Sequence, residues 1–372
     1  MATRNLVALF DGTWSRPESG TNVERFCRLI APRDAAGNPQ VVNYLPGVGT
    51  GHGIGHLIGH LIGGAFGYGL SANIKDGYRW LSETFAPGDA LYLIGFSRGA
   101  FTARSLGGMI RKCGLLRSAD AAGVDAAYAF YRDTQVKPGD DAARAWRAAR
   151  SVETRIRFIG VWDTVGDLGI PDTAAWVPFS RKRYQFHDTD LSRIVQYAYQ
   201  ALALDEHRAN FKPTKWMRYP ATMAPGESRT ARKPEQIDVE QRWFVGSHSD
   251  IGGGYAHDGA GHTPDLLPDL PLAWLQAKAQ AAGLASTAPL VPADAVAAIP
   301  RNSYAEFLGG LYQLFHRPFN RTFGTGVNET VDQSVWAHVR ALAGYASGTL
   351  ANAIGDDLVA PPAGIRWPPT TA

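Results

Sequence analysis

Short apolar runs recur through the first two thirds of the chain, each ending in small or polar residues. Leu6-Val7-Ala8-Leu9-Phe10 ends in Asp11-Gly12-Thr13-Trp14, and Gln40 to Leu45 ends in Pro46-Gly47. Leu91 to Ile94 ends in Gly95-Phe96-Ser97-Arg98-Gly99, Arg155 to Trp162 ends in Asp163-Thr164, and Val239 to Val245 ends in Gly246-Ser247-His248. Runs this short suit strands buried on both faces of a parallel sheet better than helices. Helical spacing fills the intervals. Thr21 and Glu24 match a capping box for a helix through Leu29-Ile30. Ser71 is placed to cap a helix over Asn73 to Phe85. Ala100, Ala103, Leu106, Gly107 and Ile110 predict a helix directly after the third run, and Asp120 to Tyr131 and Ala142 to Ala149 predict two more. Leu191, Ile194, Val195, Ala198 and Leu202 predict a helix ending near Asp205-Glu206, and Leu270 to Leu284 predicts the next.

Strands alternating with helices define the expected fold class: α/β, a doubly wound, mostly parallel sheet with helices on both faces. Beyond about Ala288 the chain turns Pro- and Ala-rich and the strand signal fades. The expected organisation is one catalytic domain over 1–287 and a C-terminal helical extension over 288–372 packed on it. No internal repeat is visible.

Composition narrows the function classes. A net charge of +3 over 372 residues implies no strong field for nucleic acid or membrane, so no nucleic-acid partner is expected. Two cysteines, Cys27 and Cys113, rule out a disulfide framework. The start, Met1 to Asn5, runs into a strand-like segment with no apolar signal core. A cytoplasmic protein is expected, with export by a system that uses no signal peptide left open. The most apolar long stretch, Gly51 to Leu70, is broken by glycines and by His52, His56 and His60. These histidines share a helical face but have no carboxylate or cysteine beside them, so a flap or a close helix contact is the expectation there.

Chemistry in doubly wound sheets collects beyond the carboxyl ends of the strands. Four predicted strand ends carry marked polar residues: Asp11, Ser97, Asp163 and His248. Ser97 is the centre of Gly-x-Ser-x-Gly between a strand and a helix, the setting of a nucleophile elbow. A serine hydroxyl needs a base, usually histidine, and that histidine needs a carboxylate to orient it. His248 follows a strand downstream of Ser97 and Asp163, and Asp163 follows a strand directly, unlike its rivals Asp205 and Asp250. The catalytic expectation is Ser97, Asp163 and His248, with no cofactor and no metal. The oxyanion hole is expected from the Arg98 backbone N–H and from the Gly12-Thr13 turn. Trp14, and Trp176 and Phe179 in the aromatic segment Ile170 to Phe186, are expected to line the substrate pocket, with Gly51 to Leu70 as a moving lid. The expected substrate is a lipid or small ester, met through transient contact with a membrane surface where it is lipid.

Two other classes compete. One is a non-catalytic binding or scaffold protein that kept the fold. The other is a metal-dependent hydrolase on His248, Asp250, His257, Asp258 and His262. A phosphatase reading of Phe10-Asp11-Gly12-Thr13 fails because Leu9 stands where the phosphorylated aspartate is needed.

Six motifs in order carry a resemblance. They are Phe-Asp-Gly-Thr-Trp at 10–14, Gly-Val-Gly-Thr-Gly at 47–51 and Gly-Phe-Ser-Arg-Gly-Ala-Phe-Thr-Ala-Arg at 95–104. Gly-Val-Trp-Asp-Thr-Val-Gly follows at 160–166, Ala-Leu-Ala-Leu-Asp-Glu at 201–206, and His-Ser-Asp-Ile-Gly-Gly-Gly-Tyr at 248–255. The chain resembles the α/β-hydrolase domain of the type VI secretion lipase effectors. The resemblance implies a Ser-Asp-His esterase with phospholipase A activity, and it extends to Ser97, Asp163 and His248 because each lies in a matching motif. Effector members often carry a further membrane-docking region, whereas fewer than a hundred residues follow the hydrolase core here. A stand-alone esterase on smaller or soluble esters fits as well.

Overall fold

Leu6, Ala8 and Phe10 face one side of the central sheet and Val7 and Leu9 the other, and both sets are fully buried. That two-sided burial needs a layer of helices on each face. In the computed structural model, which describes residues 3–12, 19–47, 65–166, 191–218, 223, 226–255, 266–292, 298–342, 344–365 and 367, both layers are present. The strands are β1 (Asn5–Phe10), β2 (Gln40–Leu45), β3 (Ala90–Phe96), the two-residue β4 (Leu115–Leu116) and β5 (Ser151–Val152), β6 (Ile156–Trp162), β7 (Val195–Ala203), β8 (Asp238–Phe244) and β9 (Glu329–Val331). Seven of them form one sheet in the order β2-β1-β3-β6-β7-β8-β9, every pair parallel. The fold is the expected doubly wound α/β architecture.

On one face lie α2 (Ala65–Thr84), α3 (Arg98–Cys113) and α4 (Ala121–Arg132), through Ile74, Tyr78, Ala103, Leu106, Met109 and Val124. On the other lie α1 (Asn22–Leu29) and α7 (Asp269–Ala281), through Val23, Phe26, Leu272 and Leu275. Between them in sequence come α5 (Asp141–Arg150) and the short α6 (His248–Gly252). Thr21 caps α1 by accepting from the Glu24 N–H at 3.2 Å.

Two expected elements differ. The predicted helix over 191–206 is the strand β7. Leu191 and Ile194 belong to the lead-in, and only Val195 to Ala203 is regular. Apolar residues at helical spacing also arise in a strand covered on both faces, and β7 lies between β6 and β8 with its side chains enclosed from Ala198 onward. Val195, Tyr197 and Tyr199 favour that strand. Ser71 does not cap a helix, because α2 already begins at Ala65 and runs through it. The Ser71 hydroxyl instead accepts from the Tyr128 phenol at 2.8 Å.

The segment after 287 carries more than helices. It supplies β9, paired in parallel with β8, then α8 (Gln333–Ala341) and α9 (Gly348–Gly355). Phe323, Val335, Trp336 and Leu350 close a third apolar cluster over Leu202, Leu204, Trp243 and Val245. Three residues of edge strand are too few to show as a periodic pattern.

Candidate active site

The register of the sheet sets the site. Phe96 pairs with Trp162, so Ser97 and Asp163 are the first residues beyond two neighbouring strands at the same height. The chain reaches its topological switch there, since β1 is followed by β2 on one side and by β3 on the other. At the end of β3 the backbone turns sharply into α3, and Ser97 sits at φ 56°, ψ −120°. A non-glycine residue in that region is strained and has to be held there by its surroundings. A Cβ on Gly95 would stand 2.5 Å from the Gly99 carbonyl oxygen, closer than atoms can approach, so the turn accepts only glycine at that flank.

Ser97 Oγ lies 2.8 Å from His248 Nε2, and His248 Nδ1 lies 2.6 Å from Asp163 Oδ2. All three are buried: Ser97 is 7 % exposed, His248 4 % and Asp163 0 %. The expected serine, histidine and aspartate are thus brought together from the ends of β3, β8 and β6. His248 opens α6, where the Ser247 N–H and hydroxyl donate to Asp250 Oδ2 at 2.7 and 3.0 Å. The His248 ring packs on Phe96, with centroids 4.7 Å apart, and edge-on to Phe211 at 5.0 Å. Its backbone N–H donates to Glu206 Oε2 at 3.2 Å, and Glu206 also accepts from Arg208 and from the Ser303 hydroxyl.

The electrostatics follow from this packing. Burial alone would raise Asp163, but the Arg321 charge and hydrogen bonds outweigh it and hold the carboxyl well below the usual carboxylate range. Burial pushes His248 below its ordinary value, and the hydrogen bond and charge of Asp163 recover only part of that. A neutral imidazole between a hydroxyl and an ionised carboxylate can take a proton on Nε2 while Nδ1–H stays bonded to the acid.

The rival acids are occupied elsewhere. Asp205 accepts from the Gly246 N–H and the Tyr345 phenol at 2.8 and 2.9 Å, and Asp250 holds the turn before His248. Both His248 nitrogens are committed to Ser97 and Asp163, so His248 and Asp250 do not converge on a metal position. No group of three or more metal-ligating side chains occurs among the described residues, and His257, Asp258 and His262 lie outside them.

Arg98 begins α3 directly after Ser97, which puts its backbone N–H at the helix N-terminus beside the hydroxyl. Gly12 departs from its expected role as an oxyanion donor. Its N–H donates to Asp11 Oδ1 at 2.6 Å, and Asp11 also binds Thr21 Oγ1 and the Tyr44 phenol, both at 2.6 Å. The carboxylate pins the end of β1 to α1 and β2, and the nearest amide is spent in doing so. Thr13, Trp14, Trp176, Phe179 and the histidines at 52, 56 and 60 lie outside the described residues.

Sequence reasoning passed over three contributors. Glu206 stood inside a quoted motif without a role, and Phe211 ends a single 3-10 turn, Ala209–Phe211, too short to leave a pattern in the sequence. Arg321 belongs to a segment where strand and helix signals are both weak, and its contact with Asp163 joins residues 158 positions apart.

A parallel sheet with a strained strand-to-helix serine, a histidine and a buried aspartate at its carboxyl edge is an α/β-hydrolase-like design. The model of the family "T6SS, Phospholipase effector Tle1-like, catalytic domain" matches residues 4–278, and the chain belongs to that family. The uncharacterized protein YEL023C of Saccharomyces cerevisiae is 31% identical over 230 residues, which is 56% of this chain and 32% of the yeast protein. The chain therefore spans about a third of that relative. Among solved structures, an uncharacterized protein from Pseudomonas aeruginosa aligns with 78% of this chain and 47% of its own, at 20% identity and TM-score 0.43. The Tle1 effector bound to the VgrG spike of the type 6 secretion system aligns with 71% of this chain and 53% of its own, at 18% identity and TM-score 0.38.

Proposed function

We propose that the protein is a serine hydrolase of carboxylic esters, acting on lipids in the manner of a phospholipase A. The observation that carries the reading is the continuous line of hydrogen bonds from Ser97 Oγ through His248 to Asp163, at 2.8 and 2.6 Å. In this reading Ser97 Oγ attacks the ester carbonyl carbon while His248 Nε2 takes its proton. The Arg98 N–H donates to the oxyanion of the tetrahedral intermediate, and with the Gly12 amide spent on Asp11 it is the donor on which the reading rests. The imidazolium then gives its proton to the departing alcohol, leaving an acyl group on Ser97. Water, activated by the same nitrogen, attacks the acyl carbon and restores the serine. Asp163 stays ionised throughout and keeps the Nδ1–H tautomer in place. Membership of a phospholipase-effector family supports the lipid substrate.

The test is labelling of the purified protein with a fluorophosphonate, followed by assay on a chain-length series of esters and on phospholipid vesicles. Labelling of wild type that disappears in Ser97→Ala, with fatty acid released from vesicles, is the expected result. Folded wild-type protein that takes no label sinks the hydrolase reading. Label without release from vesicles sinks the lipid half and leaves a soluble-ester hydrolase.

A further inference from the structure

Two of the acids around His248 are each bound by an arginine side chain. Glu206, just after β7, is bound by Arg208 through Nε and Nη2 at 2.8 and 2.6 Å. Asp163, just after β6, is bound by Arg321 through Nη1 to Oδ1 at 2.6 Å and Nη2 to Oδ2 at 2.9 Å. The other acid close by is Asp250 on α6 itself, which holds Ser247 and faces Tyr255, while Tyr312 faces Arg208. Arg321 is 1 % exposed and comes from beyond residue 278, where the family match ends. Its two terminal nitrogens also donate to the carbonyls of Ala203 and Phe211 at 3.0 and 2.7 Å. Phe211 is the residue whose ring packs edge-on to His248.

We propose that Arg321 is a positioning residue for the reaction, holding the Asp163 carboxylate against His248 Nδ1 and offsetting its charge so that the imidazole returns to the neutral form at neutral pH. The inference rests on the serine-hydrolase reading. A buried carboxylate without a counter-cation favours the imidazolium strongly, and a histidine kept protonated cannot accept the serine proton. An arginine that shares the carboxylate removes part of that pull while leaving the hydrogen bond intact. The fork geometry matters as well as the charge, since a lysine reaches one oxygen at a time. The segment that carries Arg321 therefore belongs to the working site.

The experiment measures kcat/KM against pH on a soluble short-chain ester, using the full chain. Arg321→Gln is expected to move the acid limb up by about one pH unit. Arg321→Lys is expected to keep the limb in place and lose part of kcat. A folded Arg321→Gln whose limb stays with wild type overturns the inference. If Arg321→Gln does not fold, thermal melting of Asp163→Asn and of Asp163→Asn combined with Arg321→Gln decides. A double variant melting above the single ties the arginine to the Asp163 charge, as proposed. A double variant that melts lower, or does not fold, means that Arg321 serves only to hold the two carbonyls, and the inference falls. Failure of the hydrolase reading shows separately, as absence of fluorophosphonate labelling in wild type.

Discussion

A methyl group on Gly99 would lie 2.1 Å from the carbonyl oxygen of Phe10. The first turn of α3 is pressed onto the end of β1, and that closeness sets Ser97 at the switch point of the sheet. Backbone cannot yield as a flexible side chain can. Gly99→Ala is expected to cost more than about 3 kcal/mol or to prevent folding, as overpacking at a fixed contact does. Soluble Gly99→Ala protein with wild-type melting and labelling would show that the contact is looser than described.

Ser97 holds a positive φ of 56°. Alanine there keeps the strain and loses the hydroxyl, whereas glycine loses the hydroxyl and the strain together. Both variants are expected to be inactive, with Ser97→Gly the more stable by about 1 kcal/mol, the middle of the usual range for such strain, about 2 kcal/mol, less about 1 kcal/mol for the unfolded-state entropy of glycine. Differential melting checks it, and Ser97→Ala melting higher contradicts it.

Asp163 accepts from His248, Arg321 and the Ala203 N–H, all in a fully buried place. Asparagine presents an N–H where His248 needs an acceptor, so the imidazole loses its orientation. Asp163→Asn is expected to lower kcat on the order of 10⁴-fold per folded molecule, a figure taken from the corresponding change in a serine protease. Asp205→Asn and Asp250→Asn are expected to affect melting more than kcat. The reverse pattern, measured by ester turnover after titrating labelled sites, would move the acid to another residue.

Burial holds His248 below its ordinary value of 6.5. Catalysis needs the neutral ring, so the acid limb of kcat/KM is expected below pH 6.5. The sign for stability follows. As pH falls through 6.5 the unfolded chain binds this proton and the folded chain does not, so the folded state loses stability on the way down. Asp163, held low by Arg321, adds a loss of the same sign from about its ordinary 3.8 downward. Denaturant midpoints between pH 7 and 5 should fall more steeply for wild type than for His248→Gln. A limb above pH 7 would contradict the placement of His248.

Removing residues 288–372 deletes β9, Arg321 and the cover over Trp243 and Leu202. A buried ion pair broken from one side costs about 3–5 kcal/mol before any apolar exposure is counted. The truncated chain is expected to be insoluble or unlabelled by fluorophosphonate. A soluble, active 1–287 would show that the last strand and Arg321 are dispensable.

The sheet and the three side chains hydrogen-bonded at its edge, Ser97, His248 and Asp163, were legible in the sequence because their signals are local. Apolar runs named β1, β2, β3, β6 and β8, and the Gly-x-Ser-x-Gly turn is a steric requirement written within five residues. Asp163 and His248 could be named because Asp163 follows β6 directly and His248 comes in the short turn after β8, and a parallel sheet sends every strand end to one edge. Residues 195–203 misled because a strand enclosed on both faces has no polar side, so its apolar positions satisfy helical spacing as readily as strand spacing. Tertiary structure alone decided the partners. The Gly12 amide is taken by Asp11 because Thr21 and Tyr44 fix that carboxylate from other elements. Arg321 reaches Asp163 only because β9 and the third apolar cluster fold the end of the chain back over β7 and β8. Ion pairing acts through space, and no periodicity along a chain records which distant charge will be brought to a buried acid.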